Sequence, residues 1–211
     1  TEEVAREAVE KIVVEYEPLP GVFTVEDALA PHAPCVNDAD NLFQHTTVRK
    51  GNVEEGFAQA DLIVEHTYRT QSMDHLPMEP EAGLAYVDSM GVLNILTATQ
   101  YPFRDRRQIA PNVGLPMNKV RVVMAPVGGG FGIRGELYPE DLLVCSAALK
   151  FRRPVKWIED RREHLTAANH SRDQSHHIRA AIDAQGRILG IEDEFFHDNG
   201  AYMRTHAATV P

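Results

Sequence analysis

Ten consecutive residues carry the strongest chemical signal in this chain: Val127-Gly128-Gly129-Gly130-Phe131-Gly132-Ile133-Arg134-Gly135-Glu136. Glycines in succession let a backbone adopt positive φ and bring its N–H groups close to a ligand with no Cβ in the way. Phosphates, pterins and metal-oxo groups are all bound by backbone donors of this kind. A strained turn or bulge with no ligand is the plainer reading of the same residues. The run Gly130-x-Gly132-x-x-Gly135 is also a formal G-x-G-x-x-G, with Glu159 and Asp160 lying 24 and 25 residues beyond Gly135. That pattern describes a dinucleotide fingerprint with its ribose-binding acid, so an NAD-dependent dehydrogenase domain is an alternative. Gly128 and Gly129 are surplus to it, and the residues after the acid read as hairpins rather than further β-α units.

Other chemically capable residues are weaker candidates. His75 and Glu79 stand four apart, but Pro77 and Pro80 disfavour the helix that would align them on one metal, so they read as structural. His176 and His177 alternate across an expected strand and cannot both face one ion. Arg152-Arg153 and Arg161-Arg162 read as solvated charge. The two cysteines, Cys35 and Cys145, form no C-x-x-C pattern, which argues against a disulfide framework or a zinc site. An iron–sulfur cluster needs about four cysteines. Cys145 lies in the apolar run Leu142–Leu149 and reads as a buried thiol.

The elements that must position these residues follow from periodicity and turn signals. Residues 2–12 have helical spacing, Ile12–Glu15 reads as a β-rich stub, and Pro18-Leu19-Pro20-Gly21 breaks it. Residues 31–50 read as an irregular linker and domain boundary, followed by a helix over Val53–Ala60. Strands are expected at Leu62–Tyr68, Gly83–Val87, Val92–Thr97, Val120–Met124 and Pro154–Ile158, with Asp88-Ser89-Met90-Gly91 as a hairpin turn. Helices are expected at Pro102–Val113, at Tyr138–Leu149, and from an Asp160 cap to Ala168. His176–Asp183 and Ile188–His197 form a last hairpin about Ala184-Gln185-Gly186. Hairpins mixed with helices indicate an α+β fold, a mixed sheet with packed helices, rather than strict β-α-β alternation.

Bulk properties narrow the function classes. The 211 residues allow one or two domains, and 43% hydrophobic with 25% charged content is ordinary for a globular protein. A net charge of -10 disfavours nucleic acid as a partner. No apolar run approaches a membrane span, and the first residues do not resemble a signal peptide, so a cytoplasmic location is expected.

Several segments together resemble a known family. Gly-Gly-Gly-Phe-Gly at 128–132 after a valine-rich strand is similar to a hallmark of molybdenum hydroxylase large subunits, the xanthine dehydrogenase, aldehyde oxidase and aerobic carbon monoxide dehydrogenase group. His75-Leu76-Pro77-Met78-Glu79-Pro80 resembles its H-x-x-[LM]-E-P segment, and Thr99-Gln100-Tyr101-Pro102, with Arg106 following, its T-Q-x-P segment. Arg153-Pro154-Val155-Lys156, Asp160-Arg161-x-Glu163 and Asn199-Gly200-Ala201-Tyr202 resemble three more. Tyr16-Glu17-x-Leu19-Pro20 and Gly51-Asn52-Val53-Glu54 resemble the stretch leading into the cofactor domain. The resemblance covers nearly the whole chain.

The resemblance implies an enzyme that inserts oxygen from water at a C–H carbon of an aldehyde, a heteroaromatic ring or carbon monoxide. Molybdenum would be held by a molybdopterin, one form of which carries a cytosine dinucleotide, and not by a protein side chain. Iron–sulfur clusters and FAD would sit on partner domains or subunits. By motif, Gln100 would hydrogen-bond a molybdenum oxo ligand, Phe131 and Gly132 would lie beside the metal, and Gly129 and Gly130 would let that backbone approach. Residues 1–40 would be the end of a preceding hammerhead-type α/β domain with its linker, and 41–211 an incomplete first molybdopterin-binding domain. Purine-type relatives continue the loop as Gly-Lys-Glu; here the glutamate is displaced by one residue, so no substrate role is carried to Glu136. The family's general-base glutamate and its A-x-R-G-F-G segment come later than Pro211. The expectation is a chain that requires the remainder of the large subunit, and that alone neither binds the cofactor nor turns over substrate.

Overall fold

The computed structural model describes residues 1–36 and 40–202, and the chain divides into two compact units, Thr1–Arg49 and Lys50–Pro211. In the first unit, α1 (Glu2–Glu10) starts at Thr1, whose hydroxyl accepts the Val4 N–H, and Glu2 and Glu3 place negative charge on the helix N-terminus. A single turn, α2 (Val25–Ala28), is capped in the same way by Thr24. The β-rich stub expected at Ile12–Glu15 forms no strand. β-branched residues favour extended backbone, but a strand exists only when its N–H and C=O groups meet a partner.

In the second unit, α3 (Val53–Ala58) is capped by Asn52 and leads to β1 (Leu62–Thr70). β1 pairs antiparallel with β8 (Gln174–Ile182), from Leu62↔Ile182 to Thr70↔Gln174, and β8 pairs antiparallel with β9 (Ile188–His197). The expected closing hairpin is therefore present, and it gains a third strand from more than a hundred residues upstream. Two residues each of β2 (Met73–Asp74) and β7 (His170–Ser171) form a short antiparallel ladder beside it.

The other sheet is mixed and has the order β5-β4-β3-β6. The hairpin β3 (Ala82–Val87) and β4 (Leu93–Thr97) turns where Asp88 Oδ1 accepts the N–H groups of Met90 and Val92, both at 2.9 Å. β5 (Val120–Met124) lies parallel to β4, joined to it through α4 (Pro102–Asn112), whereas β6 (Val155–Ile158) is antiparallel to β3. α5 (Pro139–Phe151) packs across β3 and β6. Between this sheet, α4 and α5 lies a core that includes Leu93, Ile95, Ile109, Val120, Val144 and Cys145. The α+β architecture expected from the pattern is what forms. No helix among the described residues is long and apolar enough to cross a membrane.

Candidate cofactor site

β4 and β5 end side by side, so the segments that leave them meet at one edge of the mixed sheet. The first is Ala98-Thr99-Gln100. The Thr99 hydroxyl donates to the buried Asp105 carboxylate, and its oxygen accepts the Tyr101 N–H at 2.9 Å. Burial raises the Asp105 carboxyl above its ordinary range, although the Thr99 hydrogen bond and Arg104 pull the other way. This clasp over the start of α4 fixes the backbone at residue 100, whose own N–H donates to Arg134 O at 2.9 Å.

The second segment is the glycine loop after β5. Gly129 has φ +116°, Phe131 +53° and Gly132 +94°, so three of four consecutive residues are in conformations that L side chains rarely adopt. The Phe131 ring is 67% exposed rather than in the core, and it folds back over Gly129, where a Cβ would stand 2.8 Å from it. A Cβ on Gly130 would stand 2.9 Å from Gln100 Cδ. The loop and residue 100 are therefore in contact, and the Gly132 N–H donates to Gln100 Oε1 at 3.1 Å. That bond decides the orientation of the carboxamide. Only its oxygen can accept from an N–H, so Nε2 with its two hydrogens is turned away from Gly132. Among the described residues, the N–H groups of Gly129, Gly130 and Phe131 meet no acceptor. Beside Gly132 there is open space where a Cβ would stand.

Beneath the loop lies a buried charge cluster that the sequence did not suggest. Arg134, 1% exposed, hydrogen-bonds the main-chain oxygens of Glu79 and Pro80 and forms an ion pair with Glu81. Burial pushes the Glu81 carboxyl up to about 7 even against the opposing pull of Arg134. The Glu81 N–H donates to Glu159 Oε2, which also lies 3.0 Å from His164 Nδ1; His164 Nε2 in turn is 3.3 Å from Asp74 Oδ1. Arg134 finds its partners more than fifty residues away, so no local spacing announces them. The Tyr138 hydroxyl, donating to Ile133 O at 3.2 Å, ties the end of the loop to α5.

Several expectations are corrected by this geometry. The dinucleotide reading fails: no helix starts on Gly135, because α5 begins at Pro139, and β6 runs antiparallel to β3. Neither acid is available to a ribose, since Glu159 is buried between Glu81 and His164, and Asp160 is the N-cap of α6 (Arg161–Ala167) in a capping box with Glu163. Arg161 is not simply solvated; it donates to Pro77 O at 2.8 Å and Met78 O at 3.1 Å. Glu79, read as structural, accepts the Gly128 N–H, and no cluster of three or more metal-ligating side chains exists among the described residues. His176 and His177 part as strand alternation requires, towards Asp193 and Glu65 respectively. Glu136 is buried, 7% exposed.

Residues 36–211 match the molybdopterin cofactor-binding domain family. The chain belongs to that family. Among curated relatives, this family member is 37% identical over 214 residues to the nicotinate dehydrogenase large molybdopterin subunit of Eubacterium barkeri, covering 100% of this chain and 49% of that one. It is 36% identical to the 6-hydroxypseudooxynicotine dehydrogenase complex subunit gamma of Paenarthrobacter nicotinovorans, covering 95% of this chain and 25% of that one. Its fold is similar to the crystal structure of quinoline 2-oxidoreductase from Pseudomonas putida 86, with TM-score 0.82, 31% identity, and coverage of 97% of this chain and 26% of that one. The chain thus spans about half the length of the first of these and about a quarter of the others. The residues present suit a molybdopterin centre. Unpaired main-chain donors, an exposed carboxamide and a glycine-rich backbone offer hydrogen bonds to electronegative atoms at short range, and no cluster of three or more metal-ligating side chains exists among the described residues.

Proposed function

We propose that this chain forms part of the cofactor face of an oxidoreductase that hydroxylates a C–H carbon with oxygen from water. When bound, the molybdenum–pterin group supplies an oxygen-transferring, two-electron-accepting metal. The observation that carries the reading is the Gln100–Gly132 hydrogen bond, which turns the Gln100 amide hydrogens outward beside the loop. In this arrangement Gln100 Nε2 and the N–H groups of Gly129, Gly130 and Phe131 are the donors offered to the metal centre. Donors fixed in advance stabilise charge that grows during reaction without having to reorganise. The two relatives named for nicotinate and quinoline favour a nitrogen heteroaromatic ring as the substrate class over an aldehyde or carbon monoxide.

The wider assignments belong to the same proposal. Residues 1–40 close a preceding hammerhead-type α/β domain and linker, and 41–211 belong to the first cofactor-binding domain; a family match that begins at residue 36 supports this division. Electrons leave through iron–sulfur and flavin partners, supported by the relative named as one subunit of a complex. Both cysteines are free, which suits the reducing cytoplasm.

The test is Gln100→Ala in the full-length subunit within its complex, assayed on nitrogen heteroaromatics and on aldehydes. Loss of one preorganised donor predicts a fall in kcat of about 10²–10³-fold, with molybdenum content kept near wild type. Unchanged kcat with full molybdenum content would remove Gln100 from the chemistry.

A further inference from the structure

The glycine loop is gripped at both ends by side chains from elsewhere in the fold. Gln100 accepts from Gly132 at the far end. At the near end the Gly128 N–H donates to Glu79 Oε2 at 2.6 Å. The approach is so close that a Cβ on Gly128 would stand 2.6 Å from Glu79 Cβ, so glycine is required there by the contact itself. Glu79 is in turn immobilised from the loop's own downstream side. Arg134 hydrogen-bonds the Glu79 and Pro80 main-chain oxygens and lies 3.9 Å from Glu79 Oε2. One buried cation therefore holds both the backbone and the carboxylate of the residue that accepts from the loop. Between the two grips lie the three N–H groups that meet no acceptor among the described residues, those of Gly129, Gly130 and Phe131.

We propose that Glu79 is a positioning residue: its carboxylate, acting through Gly128, sets where those three donors point and so how firmly the loop holds the cofactor. The second half of this statement rests on the function proposed above. An ionised carboxylate is an acceptor only, so it can pair with Gly128 N–H in one sense and cannot compete with the loop as a donor.

The experiment uses the full-length subunit in its complex, with Glu79→Ala and Glu79→Gln. Two quantities are read: amide hydrogen–deuterium exchange of the peptide spanning 126–132, and molybdenum retained per subunit through gel filtration. Exchange at Gly128 is expected to rise about tenfold or more in Glu79→Ala, with molybdenum retention falling alongside. Glu79→Gln keeps an acceptor oxygen at the same reach and is expected to restore most of the protection. The 139–151 helix reports on folding and should exchange as in the wild type, at least in Glu79→Gln. Wild-type protection of the loop in Glu79→Ala would overturn the proposal. So would Glu79→Gln exchanging as fast as Glu79→Ala, because the contact would then be one of general charge balance. Fast loop exchange with undiminished molybdenum retention would overturn the link from Glu79 to cofactor retention, while leaving Glu79 as the loop's anchor; a wild-type subunit that holds no molybdenum would instead overturn the proposed function.

Discussion

Glu81 should make the stability of this protein fall as pH rises through the neutral range. Its carboxyl is raised from an ordinary 4.5 to about 7, because burial outweighs the attraction of Arg134. Between those two values the folded chain holds a proton that the unfolded chain has released, so unfolding becomes easier with each pH unit. The contribution is fully present below about 4.5 and gone above about 7, and at 1.36 kcal/mol per unit it is on the order of 3 kcal/mol. Asp141, which burial pushes up to about 6, slopes the same way over a lower window. Glu81→Gln isolates the first effect, since it removes the titration and keeps an oxygen for Arg134. Urea unfolding would be followed from pH 4.5 to 8 by the fluorescence of Trp157, the only tryptophan, which faces Gly83 across the β3–β6 ladder near residue 81. The variant should gain on the wild type by ~3 kcal/mol across the window. Parallel curves would refute the assignment. A wild type that becomes more stable with rising pH would show that the ion pair dominates over burial, inverting the argument.

Two further outcomes follow from the packing. Cys35 is exposed whereas Cys145 is buried with its thiol pushed up to about 12, so a thiol reagent should titrate one cysteine in the native chain and two in denaturant; two fast thiols would contradict the burial. Gly56→Ala places a Cβ 2.6 Å from Leu189 O, a backbone atom that cannot swing aside, so α3 must lift from β9. A loss of about 1–3 kcal/mol by urea unfolding is expected, and a neutral result would mean that α3 docks differently.

Much of the scaffold was legible before any coordinates. The β3–β4 hairpin was announced by two apolar runs around Asp88-Ser89-Met90-Gly91, and the start of α6 by Asp160 as its cap. These are local instructions: turn geometry, capping and periodicity act over a few residues, so their signals sit together in the chain. Ile12–Glu15 shows the limit, because propensity for extended backbone does not supply a partner strand. The contact between Gln100 and the glycine loop was legible through resemblance to a family and not through spacing, since thirty residues and a helix separate them.

What the sequence determined by itself was most of the longer helices and strands, the α+β class and a loop of bare backbone shaped for close approach. Only the tertiary structure decided which way the Gln100 amide turns, that Glu159 is consumed by the fold instead of facing a ribose, and that Arg134 joins Glu79, Pro80 and Glu81 beneath the loop. The reason is physical. A buried charge must find its partners wherever packing places them, and desolvation enforces that pairing without leaving any mark on neighbouring residues.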